Sequence, residues 1–295
     1  MTPTDLTITP RDRRFGRTLK QDRWWLAGDP IATAFFNALS ITFPKGEAFF
    51  IESVRAHRAG ASPRLEREIN AFIKQEIMHT REHVSFNKRV TEAGYDVSSL
   101  EDEVTRSLEQ TKGRPEILNL AVTMALEHYT AILAKFILED RMQFGATHHE
   151  LADMWRWHAI EEIEHKGVAY DTWLHATRDW SRWKRWKVKT IMMLLVSKDF
   201  WVNRAIGAAE LLRQDGITGW KAWSGIAKYL FVSPGLLTRL IPAWLSYFKP
   251  GFHPWHDDDR HLVQSYDSEY EAARLDAADA VTAPTPVAAK VAVAA

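Results

Sequence analysis

The chain has 295 residues, with 38 Lys and Arg balanced by 38 Asp and Glu and a sequence pI of about 7.2. This balance provides no bulk attraction to nucleic acid, so we expect no nucleic-acid partner. The absence of cysteine excludes disulfides, iron–sulfur clusters and thiolate metal sites. Hydrophobic residues make up 46% of the chain, which is enough to build one large core.

The first 29 residues are polar and basic, and they predict an irregular N-terminal arm over 1–29. This arm lacks the apolar stretch of a secretory signal. No run of about twenty uncharged apolar residues follows it, so we expect no membrane-spanning helix. Together these features predict a cytoplasmic protein.

Apolar residues recur at helical spacing through 30–178, and no alternating strand pattern competes with them. The first long helix begins at Pro44, a residue suited to a first helical turn, and carries Glu47. The second begins after Ser62, a typical N-cap, and ends near Gly94. The segment 30–178 is therefore predicted to be all-α.

Two more long helices follow a shorter charged one. The third begins at Pro115 and carries Glu127. The fourth begins in the capping-box pattern of Thr147 and Glu150, and we expect it to continue without a break to about Thr177. Four long helices of this kind predict a four-helix bundle.

The C-terminal part differs in composition. Residues 179–255 are rich in Trp and basic residues and predict a helical extension packed on the bundle. Residues 256–295 are polar and then Ala-rich, and they predict a disordered tail.

The tryptophans around Trp183 and Trp186 alternate with Lys and Arg beside the apolar block 191–196. This pattern is typical of an interfacial membrane helix, which would place the protein at the periphery of the inner membrane. Packing on the bundle or in a homodimer explains the same pattern and stays open as the alternative.

A Glu-x-x-His pair occurs twice, as Glu76 with His79 and as Glu162 with His165. Residues three apart on a helix share a face, so each pair directs a carboxylate and an imidazole toward one point. A single glutamate precedes each pair on its own apolar helix: Glu47 before the first and Glu127 before the second.

Two such pairs with two single glutamates are the ligand set with which helical bundles hold two metal ions. Buried carboxylates are unfavourable without a counter-charge, and bound cations would supply it. The residues predict a dinuclear metal site.

Two further histidines lie on the same helical stripes. His158 precedes Glu162 by four residues and His165 by seven, so it offers a third imidazole. His83 follows His79 by four residues and is either an additional ligand or a residue that supports one. Glu161 is adjacent to Glu162, and the Glu-x-x-His spacing selects Glu162 as the ligand.

The order Glu, Glu-x-x-His, Glu, His-x-x-x-Glu-x-x-His resembles the ligand pattern of the p-aminobenzoate N-oxygenase branch of ferritin-like di-iron oxygenases. This resemblance implies a ferritin-like four-helix bundle with additional C-terminal helices. It also implies seven ligands: Glu47, Glu76, His79, Glu127, His158, Glu162 and His165.

The sequence also resembles a bacterial family of predicted metal-dependent hydrolases over roughly residues 20–260. The blocks that carry this resemblance are FPKGEAFF, QEIMHTREH, ALEHYTA and WHAIEEIEHKGVAYD. Its motif blocks are specific. The description of this family gives hydrolysis as a predicted activity.

The ligand set and the first resemblance favour a dinuclear non-haem iron enzyme. It would bind two Fe ions, with Mn or Zn as alternative metals. It would use O2 to oxidise a small or apolar organic substrate, as an oxygenase or oxidase, with an electron donor that the sequence does not identify. Two alternatives remain: a dinuclear metal-dependent hydrolase, and a non-catalytic iron-binding protein.

Overall fold

A computed structural model describes residues 2–16, 21–139, 144, 147 and 149–270. Over these ranges the chain is helical and has no β-strand, which confirms the predicted all-α class. The helices are α1 (Pro30–Ser40), α2 (Phe43–Arg55), α3 (Pro63–Glu92), α4 (Ser98–Glu109), α5 (Glu116–Glu139), α6 (His149–His165), α7 (Val168–Ala176), α8 (Arg182–Gln214), α9 (Gly219–Phe231) and α10 (Leu236–Tyr247). Residues 260–270 form a further helix, α11.

Four of these helices surround the centre of the molecule. Helix α2 packs against α3 and α5, and α6 packs against α5 and α3. These four helices carry all the predicted ligands. Helix α8 covers one side of this group by packing on α1 and α5.

The predicted helix starts rest on local chemistry that the structure reproduces. Ser62 accepts a hydrogen bond from the backbone N–H of Leu65 at 3.2 Å, which caps the N-terminus of α3. Asp29 caps α1 in the same way by accepting from the N–H groups of Ile31 and Ala32. Polar side chains therefore fix where these two helices begin.

Helix α5 is apolar on nearly all sides. Within the described ranges it is the one helix long and apolar enough to cross a membrane, yet 72% of its apolar window is buried inside the molecule. Most of its residues pack against α2, α6 and α8, with Glu127 among them. Helix α5 is thus a core helix of the bundle.

The fourth long helix is not continuous, contrary to expectation. Helix α6 ends at His165, and α7 begins at Val168. Between them lies Gly167, where a Cβ atom would sit only 2.8 Å from Thr2 Oγ1 and 2.8 Å from Trp255 Nε1. The N-terminal arm and a distant loop approach the backbone here, and the helical pattern of the sequence contains no sign of them.

The chain termini are more ordered than composition suggests. The described part of the arm, 2–16 and 21–28, is irregular, and it lies against α3, α6 and α11. Residues 260–270 are helical and bury Val263 and Tyr266, so the tail expected to be disordered from 256 is ordered through 270. Arg11 pairs with Asp267 at 2.8 Å, a contact that joins the two ends of the chain. The remainder of the predicted tail, 271–295, lies outside the described residues.

Candidate metal centre

The seven side chains predicted as ligands meet at one buried place. Helix α2 brings one glutamate, α3 a Glu–His pair, α5 one glutamate, and α6 two histidines and a glutamate. None of the seven is more than 3% exposed. Their nitrogen and oxygen atoms form overlapping groups whose members lie within 4.8 Å of one another. The seven residues are Glu47, Glu76, His79, Glu127, His158, Glu162 and His165.

The cluster has two halves, one around His79 and the other around His165. Two of the glutamates are shared between them. Glu76 Oε1 lies 3.9 Å from His79 Nδ1 and 3.2 Å from His165 Nε2. Glu162 reaches the same two histidines, with Oε1 3.8 Å from His79 Nδ1 and Oε2 3.4 Å from His165 Nε2. These distances suit carboxylates that bridge two cations.

The other ligands divide between the halves. Glu47 groups with Glu76 and His79 and, in a second combination, with His83 and His158. Glu127 Oε2 lies on the opposite side, 3.5 Å from His165 Nε2. One half therefore offers two imidazoles and a glutamate, and the other offers one imidazole and a glutamate.

Eight polar atoms of this cluster are buried without a hydrogen-bond partner. They are Glu47 Oε1, both oxygens of Glu76 and of Glu127, His79 Nδ1, Glu162 Oε2 and His165 Nε2. A buried unpaired polar group costs about 1–3 kcal/mol, and more if it is charged. All eight belong to the donor types that bind divalent cations. The residues present therefore fit a pair of metal ions.

The local electrostatics lead to the same conclusion. Burial raises the pKa of Glu76 well above its usual value, and the carboxylates of Glu127 and Glu162 raise it further. Burial likewise raises the pKa of Glu47 and of Glu127. For Glu162, burial acts in the same direction, but His165 and His158 outweigh it and hold its pKa well below the usual value. Without a cation, the cluster cannot keep four ionised carboxylates.

A carboxylate outside the cluster orients His79. Glu161 Oε2 lies 3.0 Å from His79 Nε2, and Glu161 Oε1 accepts from the backbone N–H of Arg11 at 2.7 Å. With its Nε2–H donated to Glu161, His79 directs the lone pair of Nδ1 into the cluster. This is the usual arrangement of a metal-binding histidine. Glu161 thus positions the predicted ligand His79, and the oxygens of Glu162 lie within the cluster.

An amide orients His165. His165 Nδ1 lies 3.0 Å from Gln75 Oε1, and Gln75 Nε2 donates to Glu164 Oε2 at 3.0 Å. Arg11 holds that carboxylate through an ion pair of 2.8 Å with Glu164 Oε1. Because Gln75 presents its oxygen to His165, the imidazole donates from Nδ1 and keeps the lone pair of Nε2 for the cluster.

A chain of hydrogen bonds also distinguishes His158 from His83. Asn87 Nδ2 donates to the carbonyl oxygen of Ser40 at 3.2 Å, so Asn87 Oδ1 accepts the Ser40 hydroxyl hydrogen at 2.6 Å. Ser40 Oγ then accepts from His83 Nδ1–H at 2.8 Å. Burial lowers the pKa of His83 well below its usual value, so its Nε2 carries a lone pair.

That lone pair accepts from His158 Nδ1–H at 2.7 Å. His158 Nε2 points to the other side, 2.8 Å from Glu162 Oε1, and is therefore the ring nitrogen that faces the cluster. A cation that replaced the proton between these two atoms would contact both. The geometry therefore favours His158 as the third imidazole ligand and His83 as the residue that orients it.

We expect His83→Ala to weaken binding of one of the two metal ions by about 10- to 100-fold, because His158 would lose the acceptor that orients its ring. Ser40→Ala, which acts one bond further away, should weaken the same ion less. Competition with a coloured chelator measures both affinities. If His83→Ala abolished one ion while Ser40→Ala left both affinities unchanged, His83 would be a ligand and this assignment would be wrong.

A narrow apolar cavity of about 20 Å³, room for about one water molecule, adjoins the cluster and is partly open to solvent. Leu39, Phe43, Leu133, Ala134, Ile137 and Trp155 form most of its wall. His158 and Glu162 line it as well, so two predicted ligands face the same space. A substrate group that entered this space, after the wall side chains moved apart, would lie directly against the cluster.

Comparison with known families agrees with this geometry. A family model described as a predicted metal-dependent hydrolase matches residues 9–258. The chain belongs to this family. The match includes Arg11 and all seven predicted ligands, and it ends before α11. No curated protein and no solved structure matches the chain. The resemblance to the N-oxygenase group gains no support from these comparisons and rests on the order of the ligands alone.

Helical periodicity located the seven predicted ligands and pointed to His83, but it gave no sign of most residues that orient them. Gln75 and Arg11 carry no spacing signal, and Arg11 lies 150 residues before Glu161. Ser40 and Asn87 are ordinary polar residues in the sequence. The two positions flagged near the ligands, Glu161 and His83, are the ones that the structure places in contact with His79 and His158.

Proposed function

We propose that this predicted metal-dependent hydrolase is an enzyme that binds two metal ions through the seven clustered side chains and acts on a small apolar substrate in the adjoining cavity. The eight unpaired, buried oxygen and nitrogen atoms are the observation that carries the proposal. Glutamates and Glu-x-x-His pairs on four neighbouring helices are the arrangement of ferritin-like dinuclear proteins. We therefore propose that the bundle is ferritin-like.

Bound metal ions would supply a Lewis acid and an activated water or dioxygen, depending on the metal. The side chains of the protein position the metal ions and the substrate. Glu76 and Glu162 hold the two halves of the cluster together, while Glu161 and Gln75 fix the ring orientations of His79 and His165. The apolar cavity wall would move apart to admit the apolar part of a substrate beside His158 and Glu162.

Hydrolysis is the first candidate reaction, because it is the chemistry in the family description. Two neighbouring metals can activate water against an ester or phosphoester. Zn or Mn would serve, and the apolar cavity would hold the acyl or alkyl part of the substrate. In this form the protein needs neither O2 nor an electron donor.

Oxidation by O2 is the second candidate, favoured by the donor set itself. Four carboxylates and three imidazoles, without any thiolate, match the hard and intermediate ligands that iron prefers in helical bundles. The enzyme would then need two Fe ions, O2 and an external electron donor. A non-catalytic iron-binding protein would use the same ligands, but it has no need for an apolar cavity beside them.

One set of assays separates these reactions. Metal-free protein is loaded with Zn, Mn or Fe(II) without oxygen. Each form is then tested on p-nitrophenyl esters and bis-p-nitrophenyl phosphate, and for O2 uptake in an oxygen electrode. Glu76→Ala serves as the inactive control, and Glu92→Ala, at an exposed position of the same helix, as the matched active control.

Hydrolysis predicts turnover by the Zn or Mn form and no O2 uptake by the Fe form. Oxidation predicts O2 uptake and a transient visible absorption band in the Fe form, without ester cleavage by any form. Both activities should disappear in Glu76→Ala. If every loaded form bound two metals and showed neither activity, the enzyme proposal would be wrong and the iron-binding alternative would stand.

A further inference from the structure

The charges of this chain are segregated along its length. Residues 180–250, which include α8, α9 and α10, contain twelve Lys and Arg but only three Asp and Glu. Because the whole chain is neutral, this segment is as positive as the remainder is negative. The three helices form one layer: α9 contacts both α8 and α10, and Trp244 of α10 donates to Ser197 of α8 at 2.9 Å.

The exposed large apolar side chains of the molecule are concentrated in the same layer. Fifteen such side chains occur in the described ranges, and twelve lie between 183 and 245. The most exposed are Trp220 at 85%, Val232 at 72% and Trp183 at 67%. Helix α8 adds a row on its outer side: Ile191, Leu194, Leu195, Val202 and Ile206. We call this surface the α8–α10 face.

Packing on the bundle does not account for these residues. Helix α8 already packs inward through Met192, Met193 and Val196, on the side opposite its exposed row. Trp186 is held in place by an indole N–H bond of 2.7 Å to the carbonyl oxygen of Phe248. Trp183 stacks on Trp186 at 4.8 Å but remains mostly exposed. The α8–α10 face therefore has apolar surface beyond what the fold uses.

The charge of the layer points to the kind of partner. Two copies of the chain meeting through this face would bring two strongly positive layers together, which is unfavourable. An anionic lipid surface offers the opposite charge and, just beneath it, an apolar region for exposed Trp and Leu side chains. Each Lys or Arg near such a surface contributes about 1 kcal/mol.

We propose that the α8–α10 face docks reversibly on an anionic lipid bilayer, with Trp183 and Trp220 at the headgroup level and the surrounding Lys and Arg on the lipid phosphates. This inference is independent of the reaction at the metal centre. Binding rests on two contributions, apolar insertion and charge, so it should weaken when either is removed.

Co-sedimentation of the full chain with vesicles tests the proposal. Vesicles of phosphatidylcholine alone are compared with vesicles containing phosphatidylglycerol, at low and high salt. We expect binding to the anionic vesicles only, and a loss of about tenfold or more at roughly 0.5 M salt, where charges are screened within a few ångströms. Trp fluorescence should shift to the blue on binding.

Two variants separate the contributions. Trp183→Ala/Trp220→Ala removes the two most exposed indoles, and Lys221→Glu/Lys228→Glu reverses two exposed charges on α9. Each should lower vesicle binding about fivefold or more, since the first variant removes apolar insertion and the second removes charge attraction. The matched control is Val84→Ser, at an equally apolar exposed position on α3, which should bind like the parent chain.

Three outcomes would overturn the proposal. The first is that the parent chain stays in the supernatant with anionic vesicles at low salt. The second is equal sedimentation with neutral vesicles. The third is a stable dimer in solution that Trp183→Ala/Trp220→Ala dissociates, since the face would then bind a second copy of the chain. Unchanged helical circular dichroism and metal content in each variant confirm that the variants fold.

Discussion

Removal of the metal ions should lower the unfolding temperature of this protein by about 10 °C. A ligand present at about a thousand times its dissociation constant stabilises the folded state by about 4 kcal/mol, and 1 kcal/mol moves the transition of a chain of this size by roughly 2–4 °C. In the metal-free protein the carboxylates of Glu47, Glu76 and Glu127 lose their counter-charge. Calorimetry before and after dialysis against a chelator measures the shift.

The size of this shift should depend on pH. The pKa values of Glu47, Glu76 and Glu127 in the metal-free folded protein are raised above their unfolded values. A raised carboxyl pKa gives stability that is fully present below about pH 4.5 and is lost as pH rises through the folded value. The metal-free protein should therefore become less stable as pH rises above about 7.5, where about nine-tenths of unfolded histidines are neutral.

Readdition of the metal should restore the unfolding temperature, and Glu92→Ala should show the same shift as the parent chain. An unfolding temperature that is insensitive to the chelator, with metal absent from both samples, would contradict the assignment of the cluster as a metal centre.

The second large effect concerns stoichiometry. Glu76→Ala and Glu162→Ala should each reduce the bound metal from about two ions per chain to below one, because each removes a carboxylate shared by both halves of the cluster. Glu127→Ala removes a carboxylate from one half only and should leave about one ion. Elemental analysis of the purified variants measures these values.

The comparison of Glu76→Ala with Glu127→Ala tests whether Glu76 is shared between the two halves of the cluster. Glu92→Ala provides the control for purification and should retain about two ions. Equal losses in Glu76→Ala and Glu127→Ala would show that Glu76 does not bridge. Unchanged stoichiometry in Glu76→Ala and Glu162→Ala would remove these residues from the site altogether.

The predicted ligands were accessible from sequence because helical periodicity is a local property. Glu76 and His79 share a helical face whatever the rest of the fold does, and so do Glu162 and His165. The apolar neighbours of Glu47 and Glu127 indicated burial, which the structure confirms. Four buried carboxylates required a common counter-charge, and that requirement placed them together before any contact was known.

The orienting contacts were not accessible, because they join residues that are distant along the chain. Arg11 reaches Glu164 from an irregular arm that lies against α3, α6 and α11. The break at Gly167 depends on Thr2 and Trp255 in the same way. Helical periodicity in the sequence indicates neither contact.

The basic Trp-rich extension shows a related limit. Its sequence allowed both packing on the bundle and contact with a membrane. Helical periodicity distinguishes the two faces of a helix but does not identify what packs against each face. The structure assigns Met192 and Met193 to the inner face and leaves Leu195 and Ile206 on the outer one. Only the three-dimensional arrangement separates the two sets.

Anomalous X-ray diffraction from crystals of the metal-loaded protein tests the central claim most directly. We expect two anomalous peaks, about 3.5–4 Å apart as in other two-metal sites, with Glu76 and Glu162 in contact with both. His158 Nε2 should lie about 2.0–2.1 Å from one of them, the usual zinc–imidazole distance, while His83 contacts neither. A cluster without an anomalous peak, or a single ion bound by His83 with His158 turned away, would contradict the account.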